Sequence, residues 1–310
     1  MDITLKAGYF IGDLMLPLIV GYSLRRTRLS REVFDKMIAA CFVLLLPLLN
    51  LFTFWQLRCS WDLFWLPLFG VMLHIIPGGF TYLFIRRQGC SAADRGSFIL
   101  SGMLSNLLTL GGISVYLLHG EVGFAYVQLT VLLQNAILFL FCFPLAQYYS
   151  CLSEEQRKIQ WLNILFHPNQ LAVVGMLAGV LLNAAQVSRP VLCAEYVEVL
   201  IHLSAWLTLI PVGHSLDFTE INQYWRWAVQ IMWVKFVLTP LGIYGLAYML
   251  VDDGIMFNTL LILSFAPTAI NAVIAVRLHN LNLHLVMAAF VFTTTAYLLL
   301  IYPLIFWWLR

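Results

Sequence analysis

The sequence predicts an all-α polytopic membrane protein, with ten transmembrane helices in two inverted five-helix repeats and with helices four and nine broken and crossing. Three observations carry this. Hydrophobic residues make up 62% of the 310 residues and charged residues only 10%, whereas soluble domains carry roughly a quarter charged residues; the mean hydropathy is +0.87. Ten apolar stretches follow one another between short polar loops, each about long enough for a span of roughly 20 residues. Two of them, at corresponding places in the two halves, are interrupted by helix-weakening residues.

The segments run over 8–25, 34–56, 62–85, 97–118, 122–148, 169–187, 195–215, 227–250, 255–276 and 284–309. Their apolar runs are continuous, not alternating, so they read as helices, the form in which a segment satisfies its own backbone in lipid. Segment one follows a nearly neutral start (Asp2, Lys6) and contains Asp13; it reads as a first span with an interfacial acid, not as a cleavable leader. Segment two lies between a basic loop and Arg58. Segment three holds "LHIIPGG", with His74 just ahead of Pro77. Segment four holds "SNLLTLGGIS" (105–114), where Asn106, Thr109, two serines and the Gly111–Gly112 pair interrupt the apolar sequence. Segment five carries Gln128, Gln134 and Asn135 near one helix face and ends in the longest polar stretch, "SCLSEEQRKIQWLN".

That stretch divides the chain into a first repeat (1–150), a cytoplasmic linker (151–165) and a second repeat (166–310). Segments six and seven, "HPNQLAVVGMLAGVLLN" and "LIPVGHSLDF" in part, open the second half. Segment eight holds "VKFVLTPLG", with Lys235 just ahead of Pro240, as His74 precedes Pro77 in segment three. Segment nine holds "SFAPTAINAVIA", with Pro267 and Asn271. Segment ten ends in Trp307 and Trp308, interface anchors like Trp55 and Trp65.

Charge sets orientation. Arg25, Arg26, Arg28, Arg31, Lys36, Arg86, Arg87, Arg95, Arg157, Lys158, Arg226 and Arg277 fall in the loops after odd-numbered segments. Only Lys6, Arg58, Arg189 and Arg310 fall on the other side, so twelve cations against four place the first set in the cytoplasm and both termini outside. Five-span halves must then have opposite orientations, which is the arithmetic of an inverted repeat. Interrupted helices at matching positions of such halves point to a transporter binding site. Their half-helix N-termini would present N–H groups and positive dipole ends to an anion near the midplane.

Asn106 and Asn271 are therefore the expected substrate contacts, with Pro267 freeing backbone groups at the second break. Lys235 is a cation deep in a span, where ionisable groups are rare and functional; it could neutralise a substrate carboxylate, stand in for a transported Na⁺, or titrate with a coupled proton. His74 is the other candidate for proton coupling. The six cysteines (Cys41, Cys59, Cys90, Cys142, Cys151, Cys193) have no metal-ligand spacing, so no metal or cofactor is expected. No basic tract points to nucleic acid. Asp13, His74, His202 and His214 are scattered and without motifs, so no catalytic residues are assigned.

The sequence resembles the auxin efflux carrier family, the plant PIN carriers and their bacterial relatives. In segment four, Asn106, Gly111, Gly112, Gly120 and Glu121 stand in that family's frame, with "HGEVG" in place of its Tyr-Gly-Glu ending; in segment nine, "APTAINAVIA" matches its Pro-x-x-x-Asn crossover. "MLPLIVGYSLRR", "LLLPLLN" and the segment six and seven stretches quoted above look like its helices one, two, six and seven. One departure stands out: Ile113 replaces the family's Pro in helix four, and the Gly111–Gly112 pair is expected to supply the flexibility instead.

The resemblance implies a scaffold of helices one, two, six and seven, and a transport domain of three to five and eight to ten that moves as an elevator. It implies a small organic anion as substrate (a dicarboxylate or an auxin-like carboxylate), held by Asn106, Gly111, Gly112, Pro267, Asn271 and Lys235. A homodimer through the scaffold would follow, and the short loops fit a bacterial inner membrane. The alternatives are a Na⁺-coupled symporter of the bile-acid type, which shares a similar fold, and a degenerate non-transporting member or receptor.

Overall fold

The computed structural model describes residues 10–27, 30–58, 60–150, 170–216 and 221–308. The 151–165 linker, the start of segment six, the cations Lys6, Arg28, Arg157, Lys158 and Arg310, and Cys59 and Cys151 lie outside these residues.

The chain is an all-α integral membrane protein. Among the described residues there is no strand, and six helical runs are long and apolar enough to cross a membrane: Glu32–Trp55, Trp61–Ile85, Leu107–Tyr149, Leu192–Ser215, Gln223–Leu250 and Leu283–Trp308. Shorter apolar helices cover Gly12–Leu24, Leu171–Ala184 and Gly254–Ser264. Large apolar side chains cover much of the surface, and polar ones lie buried beside the apolar core. Ile19, Leu44, Leu181 and Leu304 point outward, while Lys235, His74, Asn106 and Gln128 are buried, as expected where the surrounding solvent is hydrocarbon.

The helices are α1 (Leu16–Leu24), α2 (Arg31–Ala40), α3 (Leu46–Trp55), α4 (Trp65–Ile85), α5 (Ala92–Met103), α6 (Gly112–Thr130), α7 (Gln134–Ile137) and α8 (Phe143–Tyr149), then α9 (Gln170–Ala184), α10 (Leu192–Ser215), α11 (Ile221–Trp233), α12 (Thr239–Leu250), α13 (Gly254–Ser264), α14 (Ile270–Leu278), α15 (Leu283–Ala296) and α16 (Tyr302–Trp308). Wide π turns join several of them. Cys41–Leu45, Leu138–Cys142, Val234–Leu238 and Tyr297–Ile301 each lead into a helix whose second residue is Pro (Pro47, Pro144, Pro240, Pro303), and Phe10–Met15 leads into Pro17 in the same way. Pro cannot donate, and its ring crowds the carbonyl four residues back. Widening the turn by one residue relieves both problems: the N–H groups of Leu46, Phe143, Thr239 and Tyr302 reach the carbonyls of Cys41, Leu138, Val234 and Tyr297, five residues earlier.

The run Leu107–Tyr149 has 43 residues, about twice what a bilayer core accommodates. It folds back at Gly120, whose φ of 64° and ψ of −152° suit only glycine. Gly123 lies against Val115 and His119, and Gly112 against Phe124 and Val127. Residues 112 and 127 would be about 22 Å apart in a straight helix, so α6 is a hairpin with Gly120 at its tip.

The helices pack in two groups. In one, α1 and α2 lie along α10 and α3 lies along α9. Glycines make these contacts close: Gly21 rests on the backbone of Ile210 and His214, Gly213 on that of Leu18, and Gly175 on that of Pro47, the small-residue packing typical of membrane helices. In the other, α4 packs on α5, α6 on α13, α11 on α15, and α14 on α5 and α15.

Candidate functional site

Two helices of the second group are broken, and the breaks meet. After α5 the chain is extended at Leu104 (φ −90°, ψ 113°) and bent at Asn106, the residue preceding the π turn Leu107–Gly111. After α13 it runs through Pro267 and Thr268 to Ala269, extended at φ −82° and ψ 153°, where α14 begins. The Asn106 N–H donates to Pro267 O at 2.8 Å and the Ala269 N–H donates to Leu104 O at 2.9 Å, forming an antiparallel bridge between Ser105 and Thr268. Backbone groups freed by the breaks would cost several kcal/mol each if left unpaired in the bilayer core; here they satisfy one another. Side chains complete the join. Thr268 Oγ1 donates to Ser101 O at 2.9 Å, the Thr268 N–H donates to Thr293 Oγ1 at 3.0 Å, and Lys235 Nζ donates to Leu104 O at 3.1 Å and to Ser105 Oγ at 2.6 Å.

Beside this join, between the two helix groups, lies a cavity of about 190 Å³. The first group contributes Asn50, Met176 and Thr208, with apolar side chains such as Phe42 and Val212. The second contributes Ser105, Asn106, Gln128, Gln134, Asn135 and Asn271, with Ile270 and Ile274. No charged side chain is among the described lining residues. Asn106 is oriented by Thr109, whose hydroxyl donates to Asn106 Oδ1, so its buried Nδ2 has no partner. Gln128 Nε2 is likewise buried and unpartnered. Asn50 Nδ2 donates to Ala172 O at 2.9 Å, leaving Asn50 Oδ1 as an unused acceptor. The first-turn N–H groups at Ile270 and Asn271 have no carbonyl within their own helix.

Asn106 and Asn271 thus share the cavity wall, with Gln128, Gln134 and Asn135. The other expected site residues lie elsewhere. Gly111 and Gly112 do not line the cavity and are not where the helix breaks: both are helical, Gly111 packs on Leu263, and the break lies upstream at Leu104–Asn106. Ile113 occupies the position that Pro holds after the other π turns, and the turn forms without it. Pro267 offers its carbonyl to the join and none of its surface to the cavity. Lys235 sits behind the join, separated from the cavity by Ser105. His74 is buried in α4, its Nδ1–H donating to Gly70 O at 2.8 Å and its Nε2 without a partner; it too is away from the cavity.

Asp13, expected at the interface, is instead buried, with Oδ2 2.6 Å from His202 Nδ1, because the turn Phe10–Met15 packs on α10. Asn50, Ser105 and Thr208 line the cavity without being among the expected contact residues. Asn50 and Ser105 were visible as polar residues inside apolar stretches, whereas nothing distinguished Thr208 before α10 was placed. No set of three His, Cys, Asp or Glu side chains converges as metal ligands among the described residues.

No protein-family model matches the chain, and no curated protein matches it either.

Proposed function

We propose that this chain is a secondary transporter for a small organic anion, built on the plan of the auxin efflux carriers: ten spans in two inverted repeats, with the substrate held where helices four and nine cross. The observation that carries this reading is the cavity between the two helix groups, walled by paired helix breaks and holding buried amide donors without partners. A buried polar group left unsatisfied costs about 1–3 kcal/mol, a cost that a ligand with acceptor atoms removes on binding. Helix N-termini add positive dipole ends. The mostly apolar wall favours a monocarboxylate with an apolar body over a dicarboxylate, whose second charge would find no cation among the described lining residues. The group holding α1, α3, α9 and α10 acts as the scaffold, and the other carries substrate across as an elevator.

The Na⁺-coupled alternative has less support, because the Lys235 amine already occupies the join. The test is uptake of labelled indole-acetate, malonate and malate into proteoliposomes, with and without Na⁺ and H⁺ gradients. Saturable uptake driven by no Na⁺ gradient is the expected result. Uptake that needs Na⁺ moves the protein to the symporter class, and no uptake of any anion by folded protein rejects the reading.

A further inference from the structure

The two helix groups enclose a second cavity, of about 540 Å³, at the end of α3 and the tip of the α6 hairpin. It continues the line of the first. Along α3, Asn50 lines the first cavity and Thr53 the second; along the later limb of the hairpin, Gln128 lines the first and Ala125 and Tyr126 the second. The offset is about three residues, roughly 4.5 Å of helix rise. Arg189 and Glu121 stand in the wall of this second cavity. Arg189 belongs to the first helix group: its Nη1 donates to Phe52 O at 3.0 Å, one of the last carbonyls of α3, which lack partners within the helix and favour a cation. The chain before it is tied to the same helix end, with Trp55 Nε1 donating to Val187 O at 2.8 Å and Asn183 Nδ2 donating to Leu57 O at 2.8 Å. The same Nη1 donates its other proton to Glu121 Oε2 at 2.8 Å, and Glu121 follows Gly120 at the hairpin tip. The Arg189 side chain is only 8% exposed. One nitrogen therefore joins the two groups. Close by, the groups meet through apolar packing, where Phe124 of the hairpin shares a cluster with Leu49, Val197 and Ile201; such packing is non-directional. The other buried-end carboxylate in this wall, Asp253, is committed to the Met256 N–H at the start of α13.

We infer that the Arg189–Glu121 pair is a latch that holds the two helix groups together at the hairpin tip, and that the cavity beneath it is the compartment substrate enters on that side once the latch opens. The inference rests on the reading that the two groups move against one another. Arg189 is anchored to the end of α3, so release carries Glu121 away with the hairpin and leaves the guanidinium in place. A slippery apolar interface sets no preferred position for the groups, whereas a charge-assisted hydrogen bond is directional and strong; the pair therefore selects the state in which the second cavity is covered. Its opening joins the two cavities along α3 and the hairpin, and Arg189 then offers its freed proton to an anion passing from one to the other.

The experiment measures how fast N-ethylmaleimide modifies a cysteine placed singly at Ala125 or at Thr53, both buried in the wall of the second cavity from opposite groups. It uses the purified full-length protein in detergent, with each site read separately by peptide mass spectrometry. Adding Glu121→Ala should speed modification at both positions about 10-fold, the effect of losing one hydrogen bond to a charged group. Arg189→Lys should stay within about threefold of the parent, because a single nitrogen makes both bonds and an ammonium has protons for both. Native Cys142, fully buried in the second group, should remain as slow as in the parent. If Thr53→Cys does not fold, Leu57→Cys probes the same wall. Unchanged rates with Glu121→Ala, or a rise at Ala125→Cys alone, overturn the inference, since fraying of the hairpin tip would not expose the α3 side. A rise at Cys142 as well overturns it too, because the pair would then support the whole fold. The labelling needs no substrate, so its failure is separate from that of the carrier reading: a coupled rise in a protein that takes up no anion keeps the latch and rejects the carrier, and unchanged labelling in a protein that takes up anions does the reverse.

Discussion

Asn106 shows how a single residue can join architecture to chemistry. Its backbone N–H completes the join at Pro267 O, its Oδ1 is held by Thr109, and its Nδ2 is left buried without a partner. Asn106→Ala deletes that free donor at little cost, together with the one hydrogen bond from Thr109, worth about 1 kcal/mol. Asn106→Ala is therefore expected to keep its thermal midpoint within a few degrees while uptake per folded molecule falls about 10-fold or more. Asn271→Ala should also lower uptake, since Asn271 lines the same cavity at the start of α14. Uptake at wild-type rates in both would remove the join as the binding element.

At the scale of elements, two substitutions separate what glycine and proline do here. Gly120 adopts a backbone conformation that only glycine holds without strain, and the hairpin of α6 turns on it. Gly120→Ala should destabilise the protein by about 1–3 kcal/mol, read by thermal unfolding in detergent. Gly245→Ala, in the middle of α12 with open space around it, should be neutral or stabilising by up to about 1 kcal/mol. Ile113 tests the π turns. Because Leu107–Gly111 already has the wide geometry that precedes Pro elsewhere, Ile113→Pro should fold with its helicity retained, as judged by circular dichroism. Val115→Pro, one turn into α6, should fail to fold, since proline in a helix interior costs about 3 kcal/mol or more. Failure of both would show that the turn at 107–111 differs in kind from the others.

Across the whole molecule, the question is whether the two helix groups move. Arg189, which follows α9, is tied to Phe52 O at 3.0 Å in the first group and to Glu121 at 2.8 Å at the tip of the α6 hairpin in the second. Cysteines at 121 and 189 joined by a short bis-maleimide should abolish uptake and leave equilibrium binding in place if the groups shift against one another. Uptake that survives the cross-link would rule out that motion. Orientation has its own test. Cys90, half-buried in the loop after α4, should resist a membrane-impermeant maleimide in intact cells. A cysteine replacing exposed Val191, before α10, should react from outside. The reverse pattern would invert the topology assigned from the loop charges.

Composition alone made this chain an integral membrane protein, because 62% hydrophobic residues and 10% charged ones cannot cover a water-facing surface. Pattern also located the weak points: Asn106, Pro267 and Asn271 are polar or proline residues in stretches that should be uniformly apolar, and lipid penalises such residues wherever they occur. The sequence could not say where each break falls or what fills it. It pointed to Gly111 and Gly112 as the flexible pair because glycine is a poor helix former, yet tertiary packing uses them as flat surfaces for Leu263 and Val127 and puts the break upstream, where another extended peptide is available to pair with it. Nor could it tell that Lys235 faces a helix end and a serine instead of the cavity, or that Asn50 and Thr208 face Asn106 across it. Those facts depend on which helices lie side by side. Local hydropathy decides that a segment enters the membrane, and only the assembled bundle decides which of its faces meets a partner, a ligand or the lipid.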